Sequence, residues 1–556
     1  MPEPNHYQRR TSPRKLRGEY YTPPELVELI ISSFGTVKAN DLILDPACGD
    51  GSFLAGAAAR LAGLRLSPEE IAKRLVGFEI NPDAAALAQE RIAGTIERSC
   101  DAGISPAKIQ VVVGDSLEYP KLDRLLRAAG VAPPTGRLLV VGNPPYVEAK
   151  RLSQAVKKSL KARYPDATPG APDLYLYFLH AALGWLRKGD SLAFVLPNKF
   201  LIAKSAFNIR NHLIERRRLR DLWFATHLDL FPGTSVYPIV LFAEAIEQNP
   251  ERDSVGLSWL GNDEGSLEIV NSLSVPYETF EKTQSRCLFP VPARPALRSA
   301  LDRMLASPTR LGDLLDIRWT VSFHRAGLRE RYVTDHPPDR YAKRFLGGGP
   351  FAGNGEVTRY RIAWAGHWIL YGQEELRRLG NPLPDPELFT RPKIVICQNG
   401  RTLRAAYDDA GFVLKDTLLA GLLRDEVDHP LIRHPQALVG LLCSRTVHFF
   451  CSHVFFGGHV GGGYLHFLRS FLIDLPIGQW SEEAARAVAA EVSALATDLP
   501  AEERALREER IERYVSGSFG LTPEEDEVVG FWAKSDRNWQ ARDRVRPPRR
   551  VRVTAT

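Results

Sequence analysis

The chain of 556 residues is poor in cysteine, with only Cys48, Cys100, Cys287, Cys397, Cys443 and Cys451. So few thiols in so long a chain exclude a disulfide framework and read as free thiols in a reducing compartment. No uncharged apolar run is long enough to cross a bilayer, which removes the membrane from the expected partners. The opening stretch MPEPNHYQRRTSPRKLRG is basic but lacks the apolar segment of a secretory signal. There is no internal repeat. Cys443, His448, Cys451 and His453 match no common zinc spacing, so no metal is expected. The chain reads as cytoplasmic.

What is present is ordinary globular composition, 44% apolar and 25% charged, in a length that suits two or three domains. The net charge of +6 fits a nucleic-acid partner without requiring one. Short apolar runs at Asp41–Leu44, Leu75–Phe78, Ile109–Val113, Leu138–Val141, Ser191–Leu196 and Ile239–Phe242 alternate with helical patterns such as Pro82–Arg98 and Leu174–Leu186. That alternation predicts an α/β domain over residues 1–245, with a parallel, doubly wound, Rossmann-like sheet. A polar linker is expected over 246–285, a second, mixed α+β domain over 286–480, and a helical extension with a basic tail over 481–556. Ligands of such sheets sit at the carboxyl ends of the strands.

The expected strand ends are polar in a particular way. The first runs into Asp45-Pro46-Ala47-Cys48-Gly49-Asp50-Gly51, where glycines let the backbone pass close to a ligand. No Gly-Lys-Ser/Thr follows, and the glycine spacing is not that of a dinucleotide loop. Acidic groups on both sides of the turn would repel a phosphate and suit a cation bearing an ammonium and a sulfonium. Glu79, ending the second strand, can accept from both hydroxyls of a ribose. Asp115, ending the third, can accept from an exocyclic amino group. An amino-acid tail, a ribose and an adenine in one row describe S-adenosylmethionine.

The fourth strand ends in Asn143-Pro144-Pro145-Tyr146. An amino group on an aromatic ring is a poor nucleophile because its lone pair is delocalised. Two acceptors on its two N–H bonds would pull the nitrogen towards a tetrahedral shape and return the lone pair to it. The Asn143 side-chain oxygen and the Pro144 carbonyl can be those acceptors. Proline has no N–H of its own and stiffens the backbone. The amide can also donate to a neighbouring carbonyl, which fixes its orientation. Tyr146 can present its ring face to a base or to the sulfonium.

The ordered set YYTPPE, LDPACGDGSFL, GFEIN, VVVGDS and GNPPYV resembles the gamma-class, TaqI-type methyltransferases that modify adenine N6 in DNA within restriction-modification systems. The resemblance implies that Thr22 meets the methionine carboxylate and that Asp45, Ala47 and Gly49 line the methionine end. It gives Glu79 to the ribose, and Asp115 with Ser116 to the adenine. Asn143, Pro144, Pro145 and Tyr146 become the catalytic loop, with Asn143 and Pro145 also bordering the cofactor. Phe231 aligns with a phenylalanine that stacks, with Tyr146, on the flipped base. Cys48 reads as a small packing residue. The implied partners are double-stranded DNA and a cognate restriction endonuclease, and the implied location is the prokaryotic nucleoid.

Lys150, Arg151, Lys157, Lys158, Lys161 and Arg163 follow the loop and suit the phosphates flanking a flipped base. In 286–480, taken as the target-recognition domain, the stretches 391–396 with 403–408, and 464–476, resemble strands of related domains. Gln398, Asn399, Arg401, Arg404, His459, Tyr464, His466 and Arg469 supply chemistry suited to base edges and phosphates. Other readings of the same motifs are a methyltransferase acting on RNA or a protein amide, a fused enzyme that also cleaves, and a DNA-binding subunit without catalysis. No Asp…Glu-x-Lys nuclease arrangement is evident, and the intact Asn143–Tyr146 loop speaks for catalysis.

Overall fold

The computed structural model describes residues 22–167, 172–225, 230, 238–245, 253–263, 266–284, 295–323, 327–337, 342–347, 356–371, 374, 378, 383–454, 459–460 and 464–540. The chain divides into two compact units, Met1–Pro292 and Ala293–Thr556.

The first unit is built on a nine-stranded sheet. Its strands are β1 (Leu42–Asp45), β2 (Leu75–Glu79), β3 (Gln110–Val113), β4 (Leu138–Gly142), β5 (Ser191–Pro197), β6 (Leu219–Phe224), β7 (Pro238–Glu244), β8 (Ser254–Asp263) and β9 (Ser266–Pro276). The order across the sheet is β3-β2-β1-β4-β5-β7-β6-β8-β9. The run from β3 to β5 is parallel, and β1, β4 and β5 are buried throughout, as apolar strands covered by helices should be. The order of strand addition reverses at β1, with β2 and β3 laid down on one side and β4 and β5 on the other, all parallel. That is the switch point where such a sheet opens a crevice. The helices Pro24–Ser32, Ser52–Ala62 and Pro82–Cys100 cover one face, burying Leu26, Ile30, Leu54, Leu61, Ala88 and Ile92 in a core shared with Ile43, Leu139 and Val195.

Three expectations need correction. β7 runs antiparallel to β5, so the sheet is mixed beyond its fifth strand. β6, whose sequence LRDLWF mixes charges into a short run, was not anticipated. Residues 254–284 are not a linker: β8 and β9 form a hairpin that extends the sheet, followed by the helix Tyr277–Gln284. The hairpin's outer strand is exposed along almost its whole length, so its sequence is polar and reads as irregular.

In the second unit, Leu315–Arg318, Leu418–Leu423, Lys393–Cys397 and Ala405–Asp408 form an antiparallel sheet in that order. The stretches 391–396 and 403–408 thus do pair, Lys393 opposite Asp408. A second small sheet joins Val333–Thr334, Trp368–Leu370, Ala342–Leu346 and Val413–Leu414. The helices Glu482–Leu495, Ala501–Ser518 and Pro523–Ser535 belong to this unit rather than to a separate extension. The predicted helical run breaks before Pro500, which disfavours helical backbone at its predecessor. Of the basic tail, Arg537–Gln540 is helical and 541–556 lie outside the described residues. Among the described residues no single helix is long and apolar enough to cross a membrane.

Candidate active site

At the carboxyl ends of β3, β2, β1 and β4 lies one cavity of about 360 Å³, lined by Thr22, Asp45, Ala47, Gly49, Glu79, Asp115, Ser116, Asn143 and Pro145. The sheet order sets Asp115, Glu79, Asp45 and Asn143 side by side in that sequence. The structure therefore brings the expected cofactor residues together, in the order in which an adenine, a ribose and an amino-acid tail would be met.

Glycine makes the close approaches possible at two points. Gly51 has φ +79, and a Cβ there would stand 2.9 Å from Ala88 Cα. Only glycine lets the loop after β1 nest on the helix Pro82–Cys100. A Cβ on Gly142, at the end of β4, would stand 2.8 Å from Asp45 Oδ1. The two strand tips are therefore packed backbone to carboxylate.

Glu79 Oε2 accepts from Gly49 N at 3.0 Å and Oε1 from Asn81 N at 2.8 Å. These two bonds fix the carboxylate in place. Asp115 Oδ1 accepts from Leu117 N at 2.9 Å, and burial raises its carboxyl above the usual range. Ser116 is buried and donates to Pro46 O at 2.7 Å, tying the tip of β3 to the loop after β1. The Leu117 carbonyl in turn receives Tyr164 OH at 2.9 Å, so the turn is held from behind.

Asp45 is the electrostatic centre of the cavity. It is buried and accepts from Ala47 N at 3.0 Å. Burial, with the Glu79 and Asp50 carboxylates adding to it, pushes its carboxyl up to about 8. Cys48 is also buried, and burial together with the Asp45 and Glu79 charges holds its thiol well above the thiol range, which suits packing and not nucleophilic attack.

Asn143 is half-buried, and its Nδ2 donates to Thr22 Oγ1 at 3.2 Å. Thr22, a buried hydroxyl, lies in the cavity wall beside it. Pro144 is buried and lies, with Tyr146, outside the cavity lining. The Tyr146 ring meets the Tyr175 ring edge-on, with centroids 6.1 Å apart. Phe231 lies outside the described residues.

Sequence reasoning missed part of the wall: Phe53, Phe78, Ile80, Leu117, Val147, Leu174 and Phe178. Asp50 is buried and paired with Arg91 at 2.8 Å. Ile80 is a large apolar side chain 72% exposed, directly after the acidic strand end, and that juxtaposition was a readable signal. Phe178 gave none, because its helix is apolar on nearly every face.

The nominated base readers of the second unit fare differently. Gln398 is buried and donates to Asp416 O. Arg404 is buried and reaches Asn399 O at 3.4 Å, while Asn399 Oδ1 bonds His466 Nδ1 at 2.6 Å. Arg469 donates to Ile317 O. These five are engaged in bonds within the unit's own packing, Gln398 and Arg404 being buried and Asn399, His466 and Arg469 half-buried. The side chains of His459 and Tyr464 lie outside the described residues. Cys443 and Cys451 are buried, and His448 bonds Asp536 at 2.9 Å. No group of His, Cys, Asp or Glu fit to hold a metal occurs among the described residues. After the Asn143–Tyr146 loop, Lys150 pairs with Glu148 at 3.0 Å, and the helix Gln154–Arg163 buries only Leu160, with Lys158 and Lys161 exposed and Lys157 half-buried.

Comparison with known proteins bears on both units. Residues 8–257 match the N-6 DNA methylase family and residues 351–477 the TaqI-like C-terminal specificity domain. The Type II methyltransferase M.TthHB8I of Thermus thermophilus is 28% identical over 231 residues, which are 40% of this chain and 44% of that protein. M.BstVI of Geobacillus stearothermophilus, also a Type II methyltransferase, is 26% identical over 218 residues, 37% of this chain and 38% of the relative. The chain thus matches less than half the length of these relatives. In fold it is similar to the Type IIL restriction-modification enzyme MmeI in complex with DNA, with a TM-score of 0.56 at 13% identity over 93% of this chain and 75% of that one. With the strand-tip cavity in place, the chain carries an N-6 DNA methylase domain over residues 8–257 and a TaqI-like C-terminal specificity domain over residues 351–477.

Proposed function

We propose that the chain transfers a methyl group from S-adenosylmethionine to N6 of a flipped adenine in double-stranded DNA, as the site-specific modification component of a restriction-modification system. It would act on DNA of a prokaryotic nucleoid, beside a cognate endonuclease. The observation that carries the reading is the row Asp115, Glu79, Asp45 and Asn143 around one cavity.

The donor set fits the cofactor. A buried carboxyl held near 8 with other carboxylates around it gains most from an ammonium, which would favour its ionised form. Glu79 is pinned by two backbone N–H groups at the strand end where a ribose edge would be met. Asp115 sits where an adenine amino group would be met. When bound, the sulfonium supplies an electrophilic methyl, so the protein's work is on the amine.

That work falls to the tip of β4. Asn143, oriented by its bond to Thr22, and the Pro144 carbonyl accept from the two N–H bonds of the target amine and give its nitrogen a directed lone pair. An adenine inside a duplex cannot reach a strand-end cavity, so the nucleotide is extruded at a cost of a few kcal/mol and stacked on Tyr146. Residues 351–477 would select the sequence. The test is incubation of the protein with unmodified DNA and methyl-labelled cofactor, followed by nucleoside mass spectrometry. N6-methyladenine is expected. Label in RNA or polypeptide, with every adenine in DNA unmarked, overturns the reading.

A further inference from the structure

The segment following Pro145 is fastened to the rest of the unit by one acidic residue that gives up its ordinary role. Asp173 occupies the N-cap position of the helix Leu174–Trp185, yet its side chain makes no capping bond to that helix. An N-cap aspartate usually stabilises its own helix by about 1 kcal/mol through such a bond. Here the carboxylate turns away. Its Oδ1 accepts from Ala149 N at 2.9 Å, and its Oδ2 pairs with Lys199 Nζ. The helix start adds a second tie, Leu174 N donating to Val147 O at 3.0 Å.

Lys199 comes from the short turn Asn198–Leu201, directly after β5. Its ammonium also stands 5.9 Å from the centroid of the Tyr175 ring, and that ring meets Tyr146 edge-on. Tyr175 is fully buried, and its hydroxyl has no hydrogen-bond partner among the described residues. The ring is therefore held by packing and by the cation, and its contribution to the site is the shape it gives the support behind Tyr146. Asp173 and Lys199 thus meet the catalytic loop twice, through the backbone at Ala149 and through the ring stack at Tyr146.

Resting on the methyl-transfer reading above, we propose that Asp173 and Lys199 are a pair of positioning residues. They hold the Pro145–Ala149 segment and the Tyr146 face at the spacing that the target amine needs. Neither lines the cofactor cavity, although Pro145 and Val147 of the segment they hold do, so their removal should slow transfer far more than it weakens cofactor binding.

The test is single-turnover methylation of DNA at saturating cofactor and DNA, with cofactor affinity and thermal stability measured on the same proteins. Asp173→Ala should slow transfer by about 10- to 100-fold, the scale of a misplacement near 1 Å. Cofactor affinity should fall far less than the rate, by about threefold at most, since Pro145 and Val147 border the cavity but its carboxylates Asp45, Glu79 and Asp115 are left in place. Asp173→Asn keeps an acceptor for Ala149 N but not the ion pair, and it should match Lys199→Met. Lys199→Arg should restore most of the rate. The double variant Asp173→Asn/Lys199→Met should be no slower than either single variant, as residues acting as one unit behave. An Asp173→Ala enzyme as fast as the wild type overturns the inference. So do additive losses in the double variant, or cofactor affinity and melting temperature falling together with the rate. A wild-type chain that marks no adenine sinks the methyl-transfer reading itself, and this pair's role with it. A marking wild type beside an equally active Asp173→Ala sinks this inference alone.

Discussion

Each unit of the molecule buries an aspartate at the end of a buried strand, and the two are treated in opposite ways. Asp408 in the second unit accepts from Ala410 N, Gly411 N and Phe412 N and pairs with the fully buried ammonium of Lys393 at 2.6 Å. Its charge is answered from within. Asp45 in the first unit accepts one N–H, from Ala47, and the charges nearest it are the like charges of Glu79 and Asp50. Its charge waits for an answer from outside. A buried carboxylate with a complete internal set of partners is architecture, and one left with like charges in a cavity is, on the proposed reading, a binding group.

That contrast can be broken in four places. The largest effect belongs to Asn143→Ala, which should lower methyl transfer by about 10³-fold while leaving melting temperature and cofactor affinity nearly unchanged. Comparable activity in the variant would remove the amide from the mechanism. Next is Lys393→Met, which strands the Asp408 charge in the core and should cost about 3–5 kcal/mol in denaturant unfolding. Cofactor affinity measured well below its melting transition should not change, and a marked loss would mean that the Lys393–Asp408 pair is not purely architectural. Glu79→Ala should weaken the cofactor by about 10- to 100-fold in calorimetry, the loss of a charged acceptor to two hydroxyls. An unchanged affinity would put the ribose elsewhere.

The smallest effect is in pH. The Asp45 carboxyl is held at about 8 in the folded protein, above its ordinary 3.8, so the native state binds the extra proton between those values. Stability from this group is present at low pH and is lost as pH rises towards 8. A cationic ligand favours the ionised form, so cofactor affinity should rise several-fold from pH 7 to pH 8.5 and then level off. Asp45→Asn should flatten that rise. A profile of equal slope in the variant would assign the titration to another group.

The same contrast explains what could be read from sequence. Strands buried on both faces, such as Leu138–Gly142, are continuous apolar runs, and polar residues at their ends stand out against them. The row Asp45, Glu79, Asp115 and Asn143 was legible for that reason. The direction of β7 was not, because an apolar run carries no sign of whether its neighbour is parallel. The hairpin β8–β9 was missed because an exposed edge strand such as SLEIVNSLSVP looks like irregular chain. In the second unit, Gln398 and Arg404 have the chemistry of base readers, but sequence does not say which way a polar side chain points. The fold turns both inward. Asp173 was illegible for a related reason, since an aspartate before a helix reads as a cap and here does something else.

The bond from Asn143 to Thr22 joins positions 121 residues apart. On the ribosome, the reactive loop therefore stays unset until the segment holding residue 22 and the fourth strand have both emerged and met. A nascent or half-folded chain lacks this bond, so on the proposed reading the timing of competence is written into the order of synthesis.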